Sequence, residues 1–149
     1  MKVLRKFEII RAYQDQNINL PKRASAHSAG YDIESAVSLE ILPGEIVKIP
    51  TGLKVLMPEN EALFIYPRSS LGIKKGLITS NAVGVVDSDY YNNDDNEGHL
   101  MIPLYNFGKE KVQVLKGERI AQGIFQAFFK TDDDNETKER KGGFGSTGK

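Results

Sequence analysis

The sequence predicts an all-β domain built as a sandwich, a barrel or a jelly roll. Its 149 residues suffice for one domain with a core of its own. The apolar segments are short, several alternate apolar with polar residues, and Gly or Pro separates them. A helical pattern is limited to one turn near SSLGIKKG (69–76). Short strands at this spacing are typical of antiparallel β folds.

We expect about ten short strands along the chain. The segments EIVKIP (45–50) and GLKVLMP (52–58) alternate as half-buried strands do, and the turn LPGE (42–45) precedes them. β-branched and aromatic residues argue for a strand rather than a helix in ERIAQGIFQAFF (118–129), which follows the turn VLKGE (114–118). The other expected strands are ALFIYP (62–67), GVVD (84–87), HLMIPLYN (99–106) and KVQVL (111–115).

Composition divides the chain into a core and two appendages. Residues 1–129 carry the strand pattern and form the expected β core. KTDDDNETKERK (130–141) has no apolar residue and reads as a solvated linker. The last residues, 142–149, form a Gly-rich arm with a single aromatic residue. Such an arm is either a frayed tail or a backbone nest that an anionic ligand orders.

An acidic stretch interrupts the core between two expected strands. DYYNNDDNEG (89–98) is polar throughout, and we expect it to form an extended, solvated hairpin tip. Its middle part, residues 92–96, is called the insert below.

The overall composition excludes several function classes. Twenty basic and twenty acidic side chains give a net charge of zero, so nothing predicts binding to nucleic acid or to a membrane. The chain has no Cys and two His, which argues against disulfides, a thiolate nucleophile and a zinc site. We see no signal peptide and no apolar run of membrane-spanning length, and we expect a cytoplasmic protein.

Two early motifs have both a structural and a functional interpretation. SAGYDI (28–33) places Gly30 and Asp32 at the start of a strand, where a turn with a capping Asp is the simpler reading. In YPRSSLG (66–72), Arg68 and two Ser hydroxyls are suited to hold phosphate. The alternative is a helix N-cap with a surface Arg.

The most informative internal motif is NAVGVVDSDYY (81–91). Asp87 follows an apolar strand that we expect to be buried, so its carboxylate could be a held, partly desolvated general base. Tyr90 offers a flat face for a sugar or base, and Asn81 carries the donor and acceptor needed to read a base edge. The alternative is a turn with Tyr rings that cap the core. GERIAQG (117–123), with Arg119 and Gln122, reads alone as a turn and an edge strand.

Taken in order, five of these stretches resemble the motifs of the trimeric dUTPase family. They are SAGYDI, PRSSLG, GVVDSDY, GERIAQ and RKGGFGSTG, and they run from residue 28 to residue 148. Each is modest evidence alone, but five in order are highly specific. The resemblance implies a distorted β jelly roll with a flexible C-terminal arm, a homotrimer with active sites at subunit interfaces, and hydrolysis of dUTP to dUMP and pyrophosphate with Mg²⁺. That reaction keeps uracil out of DNA and supplies dUMP for dTMP synthesis.

The resemblance also assigns roles to residues of this chain. It makes Asp87 the general base that activates water, and Asp32 an organiser of the water shell of Mg²⁺. Tyr90 is the ring under the deoxyribose, which leaves no room for a 2′-hydroxyl. The phosphate contacts are Arg68, Ser69, Ser70 and Gln122. The uracil pocket is formed by Asn81, Gly84, Val85, Val86, Gly98 and Met101. The arm contacts are Arg140 on the terminal phosphate, Phe144 over uracil, and Gly145, Ser146 and Thr147 around the phosphates.

Two departures from the family pattern qualify these assignments. The stretch YNNDDNEG (91–98), which ends at Gly98 and precedes Met101, is longer than the family's usual turn after the Tyr. The spacing from Arg140 to Phe144 is one residue shorter than the commonest form, so Lys141 is a second candidate for the γ-phosphate contact.

Two other functions remain open from the sequence. A dCTP deaminase has a similar fold and a similar RSSLG stretch, but it lacks an arm with a Phe and uses a Glu in deamination. A regulatory protein could keep the nucleotide site and bind a protein partner through the insert, residues 92–96. The arm and GVVDSDY favour the hydrolase.

Overall fold

A computed structural model describes residues 4–145 and confirms an all-β domain. The strands expected from alternation are present, although the described residues hold twelve strands rather than about ten. The strands are β1 (Lys6–Ile9), β2 (Lys22–Arg23), β3 (Tyr31–Glu34), β4 (Leu39–Ile41), β5 (Ile46–Pro50), β6 (Leu53–Leu56), β7 (Glu61–Pro67), β8 (Leu77–Thr79), β9 (Gly84–Asp87), β10 (Met101–Asn106), β11 (Val112–Val114) and β12 (Arg119–Ala127).

The strands pair in four antiparallel sheets whose order departs from chain order. The largest sheet has the order β2-β3-β12-β7-β9, and a three-stranded sheet has the order β5-β10-β8. Two further pairs are β1 with β6 and β11 with β4. Neighbours in a sheet are therefore often distant in sequence, as in a jelly roll. The strand β12 lies between β3 and β7, so it is a central strand and not the edge strand that GERIAQG suggested by itself.

Inward-facing aliphatic side chains from the sheets form one core. Ile33, Ile49 and Leu63, on β3, β5 and β7, are fully buried, as is Ile120 on β12. Alternation along each strand directs these residues inward and their neighbours outward. Burying one such side chain contributes about 1.5–3 kcal/mol, so the sheets are stabilised mainly by this core.

One helix, α1 (Ser69–Lys75), follows β7 directly. It is longer than the single turn expected from the sequence, and its buried residue is Leu71. Gly76 ends the helix in the left-handed region at φ 68°, a conformation that costs Gly little. Among the described residues, no helix is long and apolar enough to cross a membrane.

The stretch after β9 is not the extended hairpin tip that the sequence predicted. β9 pairs with β7 and β10 pairs with β5 and β8, so these two strands belong to different sheets. A 3₁₀ helix (Ser88–Tyr90) begins the connection, and the insert then folds into compact turns. Asn93 is buried rather than solvated. Side-chain amides that bond to the local backbone explain the compaction, and composition alone did not reveal them.

Candidate active site

A cavity of about 230 Å³ opens between β9, β10 and the C-terminal arm. Its floor is apolar, and polar groups converge on it from the loop before β9 and from the residues after it. Such a pocket, mostly apolar with a few placed polar groups, is typical of a small-molecule site. The described lining residues are Ile65, Thr79, Asn81, Gly84, Val85, Val86, Asp87, Tyr90, Leu100, Met101, Ile102, Pro103, Arg140, Gly143, Phe144 and Gly145.

Asp87 stands at the end of an edge strand and not of a buried one. Its side chain is 51% exposed, and Val85 two residues earlier is 58% exposed. The expectation that a buried strand precedes Asp87 was therefore wrong, because β9 has a partner, β7, on one side only. The Asp87 carboxylate is held in position instead by an ion pair, in which Arg140 Nη2 lies 2.7 Å from Asp87 Oδ2.

Arg140 joins the arm to two carboxylates at the cavity. Its Nε also donates to Asp89 Oδ1 at 2.8 Å, and its side chain is only 7% exposed. Burial disfavours the charged guanidinium, but hydrogen bonds and charges from Asp89 and Asp87 outweigh it and raise the pKa of Arg140. The sequence missed this carboxylate contact. The predicted contact with a terminal phosphate stays a prediction.

Tyr90 lines the cavity, and two hydrogen bonds hold its hydroxyl in place. The hydroxyl donates to the His99 carbonyl at 2.7 Å and accepts from Asn96 Nδ2 at 2.9 Å. The Arg140 guanidinium lies 5.7 Å from the ring centroid, within cation–π range. Burial raises the pKa of Tyr90, against smaller opposing effects of Asn96 and Arg140, so the hydroxyl stays neutral near pH 7.

The loop before β9 presents Asn81 and the backbone of Gly84 to the cavity. The buried Thr79 hydroxyl donates to the Ala82 carbonyl at 2.5 Å, and the Ala82 N–H donates to the Thr79 carbonyl at 3.1 Å. Ala82 is held at φ 60°, which is uncommon for a residue with a Cβ. Thr79 shapes this turn, and the sequence analysis did not select it. A hydroxyl at a strand end was its only signal.

The arm reaches the cavity on the same chain. Phe144 and Gly145 lie in its wall, and the Phe144 ring is 52% exposed. Lys48 Nζ lies 5.3 Å from the Phe144 ring centroid. The predicted arm residues Ser146 and Thr147 fall outside the residues that the structure describes.

A second group of predicted residues gathers elsewhere, around Asp32 on β3. Arg68 Nε lies 3.3 Å from Asp32 Oδ1, and Arg119 Nη1 lies 3.5 Å from Asp32 Oδ2. Gln122 pairs with Asp32 across the sheet, and its Nε2 donates to the Pro67 carbonyl at 3.4 Å. The side chains of Ser69 and Ser70 follow Arg68 and make no hydrogen bond to a described residue. Two cations and two hydroxyls in one place are suited to bind phosphate.

The two groups lie at opposite ends of β7. Asp87 pairs with Ala62 near the start of that strand, whereas Arg68 follows its end. Six residues of extended chain span about 20 Å, which is far beyond the reach of one Arg side chain. Within one chain, the residues around Arg68 that are suited to bind phosphate therefore cannot reach the carboxylate of Asp87.

Other predicted positions divide between the wall and the support of the cavity. Val86 and Met101 lie in the wall. Gly98 is not among the described residues that line the cavity. It packs beneath Tyr90 at φ 88°, where a Cβ would lie 2.8 Å from the Tyr90 carbonyl oxygen. Its placement favours a structural role. The lining residues that the sequence analysis missed, apart from Thr79, are Ile65, Leu100, Ile102, Pro103 and Gly143.

The donor set does not form a protein-only metal cage. Among residues 4–145, no three His, Cys, Asp or Glu side chains are grouped to hold a metal ion. Asp32 is engaged by two Arg side chains, and Asp87 by one. Mg²⁺ commonly binds through one or two carboxylates, several waters and substrate phosphates. The residues present therefore fit a metal ion that a phosphate substrate carries with it.

Two proteins similar to this chain are named as dUTPases. A curated deoxyuridine 5′-triphosphate nucleotidohydrolase of Lactococcus lactis is 53% identical over 97% of this chain and 98% of its own length. The crystal structure of the dUTPase from Streptococcus mutans has a TM-score of 0.81 and 47% identity, over 85% of this chain and 98% of that one.

A more distant structure shares the fold. It is a mutant dUTPase from phage phi11 of S. aureus that coordinates a structural Mg(II) ion, with 20% identity and a TM-score of 0.74 over 91% of this chain and 97% of that one. The family model dUTPase matches residues 16–148 of this chain. With these matches across almost its whole length, the chain belongs to the dUTPase family.

Proposed function

We propose that this chain hydrolyses dUTP to dUMP and pyrophosphate. The observation that carries the proposal is the cavity that Asn81, Tyr90 and Asp87 line together. A nucleoside fits such a space, with a polar group for the base and an aromatic ring for the sugar. Family membership supplies the reaction class and the substrate.

Base selection is assigned to Asn81 and the backbone beside it. A side-chain amide both donates and accepts, which matches the alternating acceptor and donor edge of uracil. Gly84 leaves the backbone of β9 open to the ligand: a Cβ there would meet Asn81 Nδ2 and Ile65 Cβ at 3.4 Å. A side chain at position 84 would therefore crowd the group that reads the base.

Sugar selection is assigned to Tyr90. Its ring is 7% exposed, and hydrogen bonds to His99 and Asn96 prevent it from swinging aside. A rigid ring beneath the sugar excludes an added 2′-hydroxyl more effectively than a mobile one, because no rearrangement relieves the clash. This discriminates deoxyribose from ribose.

Asp87 is the proposed general base. When substrate binds, its carboxylate accepts a proton from a water that attacks the α-phosphorus, and pyrophosphate leaves. Arg140 occupies this carboxylate in the structure, so it must turn toward the phosphates as they arrive. That movement frees Asp87 and adds a positive charge where negative charge has to be balanced.

The residues around Arg68 that are suited to bind phosphate complete the site from a second copy of the chain. The distance of about 20 Å along β7 supports this, because one chain cannot bring Arg68 to its own Asp87. An exposed apolar row also crosses the three-stranded sheet, where Ile46 and Ile78 flank Tyr105 and are 58% and 39% exposed. We assign this row to a subunit interface. The proposed assembly is a homotrimer.

Mg²⁺ is proposed to arrive on the triphosphate. Asp32, between Arg68 and Arg119, would orient its bound waters, while the two Arg side chains contact phosphate oxygens. When bound, the metal neutralises phosphate charge and leaves the protein to position the water and the base.

Pyrophosphate release tests this function. The full chain is assayed with Mg²⁺ and dUTP, dTTP, dCTP or UTP in turn. A strong preference for dUTP is expected, because base and sugar are selected by separate residues. Equal rates with UTP would remove Tyr90 from its role, and no release from dUTP would refute the proposal.

A further inference from the structure

The insert, Asn92–Asn96, contacts the C-terminal arm of its own chain. Gly143 N–H donates to Asp95 Oδ2 at 2.8 Å, and Asp94 N–H donates to the Lys141 carbonyl at 3.3 Å. Gly143 is buried against the Asn96 side chain, where a Cβ would lie 3.0 Å from Asn96 Cγ. Two hydrogen bonds and one close packing contact thus join the two segments.

The insert is held in place independently of the arm. Asn93 Oδ1 accepts the N–H groups of Asp95 and Asn96 at 3.0 and 3.1 Å. Asn93 Nδ2 donates to the Tyr90 carbonyl at 2.8 Å, which ties the insert to the residue at the cavity wall. Lys54 on β6 bonds Asn92 Oδ1 at 2.6 Å. These bonds make the insert a preformed surface rather than a solvated loop.

The contacts continue from the insert to the cavity. Asn96 donates to the Tyr90 hydroxyl while its side chain packs on Gly143. Phe144 follows Gly143 directly. Arg140, three residues before Gly143, lies over the Tyr90 ring. Fixing Gly143 therefore fixes Phe144 on the arm and Arg140 at the end of the linker relative to the cavity.

We propose that the insert is a docking platform for the C-terminal arm and that Asp95 is a positioning residue for Arg140 and Phe144. The platform keeps the arm near its closed position before a nucleotide binds. The kinetic part of this inference rests on the proposed function, whereas the docking does not.

Weaker docking affects substrate binding more than turnover. An arm that is closed in a smaller fraction of molecules lowers the apparent affinity by that fraction. Once dUTP is bound, the phosphates themselves hold the arm, so the chemical step changes little. For Asp95→Ala we expect KM to rise about three- to tenfold, the effect of losing one partly buried charge-assisted hydrogen bond, with kcat within about twofold.

Matched variants separate this role from a general effect on folding. Asp95→Asn keeps an oxygen that can accept from Gly143 and should restore KM to near the parent value. Asp94→Ala is the control, because Asp94 contributes its backbone N–H to the arm and its side chain makes no hydrogen bond to a described residue. Its KM should equal that of the parent.

A fluorescence measurement without nucleotide tests the docking apart from activity. The chain has no Trp, so Phe144→Trp introduces a single indole on the arm. In that background, Asp95→Ala should increase acrylamide quenching about twofold, because an undocked arm is more exposed. Quenching unchanged by Asp95→Ala would overturn the proposal, even if dUTP were not the substrate.

Truncation provides the kinetic counterpart. In a chain that ends at Arg140, Gly143 is absent and Asp95→Ala should leave KM unchanged relative to the truncated parent. A rise in KM as large as in the full chain would show that Asp95 acts without the arm and would also overturn the proposal.

Discussion

Arg140 and Asp87 both line the cavity and form an ion pair, with Arg140 Nη2 2.7 Å from Asp87 Oδ2. The residue proposed to meet the substrate phosphates thus neutralises the proposed general base when no substrate is present. When phosphates arrive, Arg140 exchanges one anionic partner for another, so its own charge stays paired while Asp87 is released to act as the base.

Asp87→Asn should retain nucleotide binding and lose turnover by about 10²–10⁴-fold, because a positioned general base contributes that factor. Asp89 still holds Arg140 at 2.8 Å, so the arm keeps one of its two carboxylate partners. Pyrophosphate release and equilibrium binding of a non-hydrolysable dUTP analogue measure the two effects. Near-normal turnover would exclude Asp87 as the base.

A chain that ends at Arg140 should fold normally but hydrolyse dUTP at least about 100-fold more slowly, since it lacks the groups that position the phosphates and exclude water. The removed residues that the structure describes, 141–145, lie outside every helix and strand, so the β core loses few contacts. Urea denaturation and turnover are compared with those of the full chain. A large drop in the denaturation midpoint would indicate that the arm is structural.

Tyr90→Leu should raise kcat/KM for UTP relative to dUTP by at least about tenfold, because removal of the ring opens space for a 2′-hydroxyl. Tyr90→Phe is the matched control: it keeps the ring and should keep the preference for dUTP. It also loses the bonds to His99 and Asn96, at a cost of about 1–3 kcal/mol in the free energy of unfolding. Unchanged selectivity in Tyr90→Leu would assign sugar selection to another group.

The sequence could predict the fold class and most cavity residues, because local patterns determine both. Alternation identified the strands, and motif order identified Asn81, Asp87 and Tyr90. Tertiary pairing could not be read locally. The central position of β12 depends on strands far away in sequence, and the edge position of β9 leaves Asp87 exposed. The acidic composition of the insert likewise concealed the side-chain hydrogen bonds of Asn93 that fold it.

Stability should fall as the pH drops below about 6.5, because burial lowers the pKa of His99 in the folded chain while the charge of Glu97 only partly opposes it. His99 Nε2 accepts the Gly52 N–H at 2.9 Å and must be neutral to do so. His99 therefore binds a proton more readily in the unfolded chain. The free energy of unfolding is highest above pH 6.5 and falls as the pH drops from 6.5 toward the lower pKa of His99 in the folded chain. The slope is at most about 1.4 kcal/mol per pH unit.

Urea denaturation between pH 8 and pH 5 measures this dependence. The carboxylates whose pKa is lowered, such as Glu61 beside Arg5, lose their contribution mainly below their ordinary value of 4.5 and therefore contribute little in this range. His99→Gln should flatten the profile, whereas His27→Gln, at an exposed position, should retain it. A slope that persists in His99→Gln would assign the effect to another group.

Mixing two inactive variants should restore activity if the site is shared between copies. Asp87→Asn and Arg68→Ala each damage one of the two groups at opposite ends of β7. Refolded together, they produce assemblies in which an intact Arg68 from one chain meets an intact Asp87 from another. A random trimer mixture should recover about a quarter of the parent rate, since each site draws its two groups from different chains. Recovery confined to background would place both groups on one chain and contradict the distance of about 20 Å that β7 imposes.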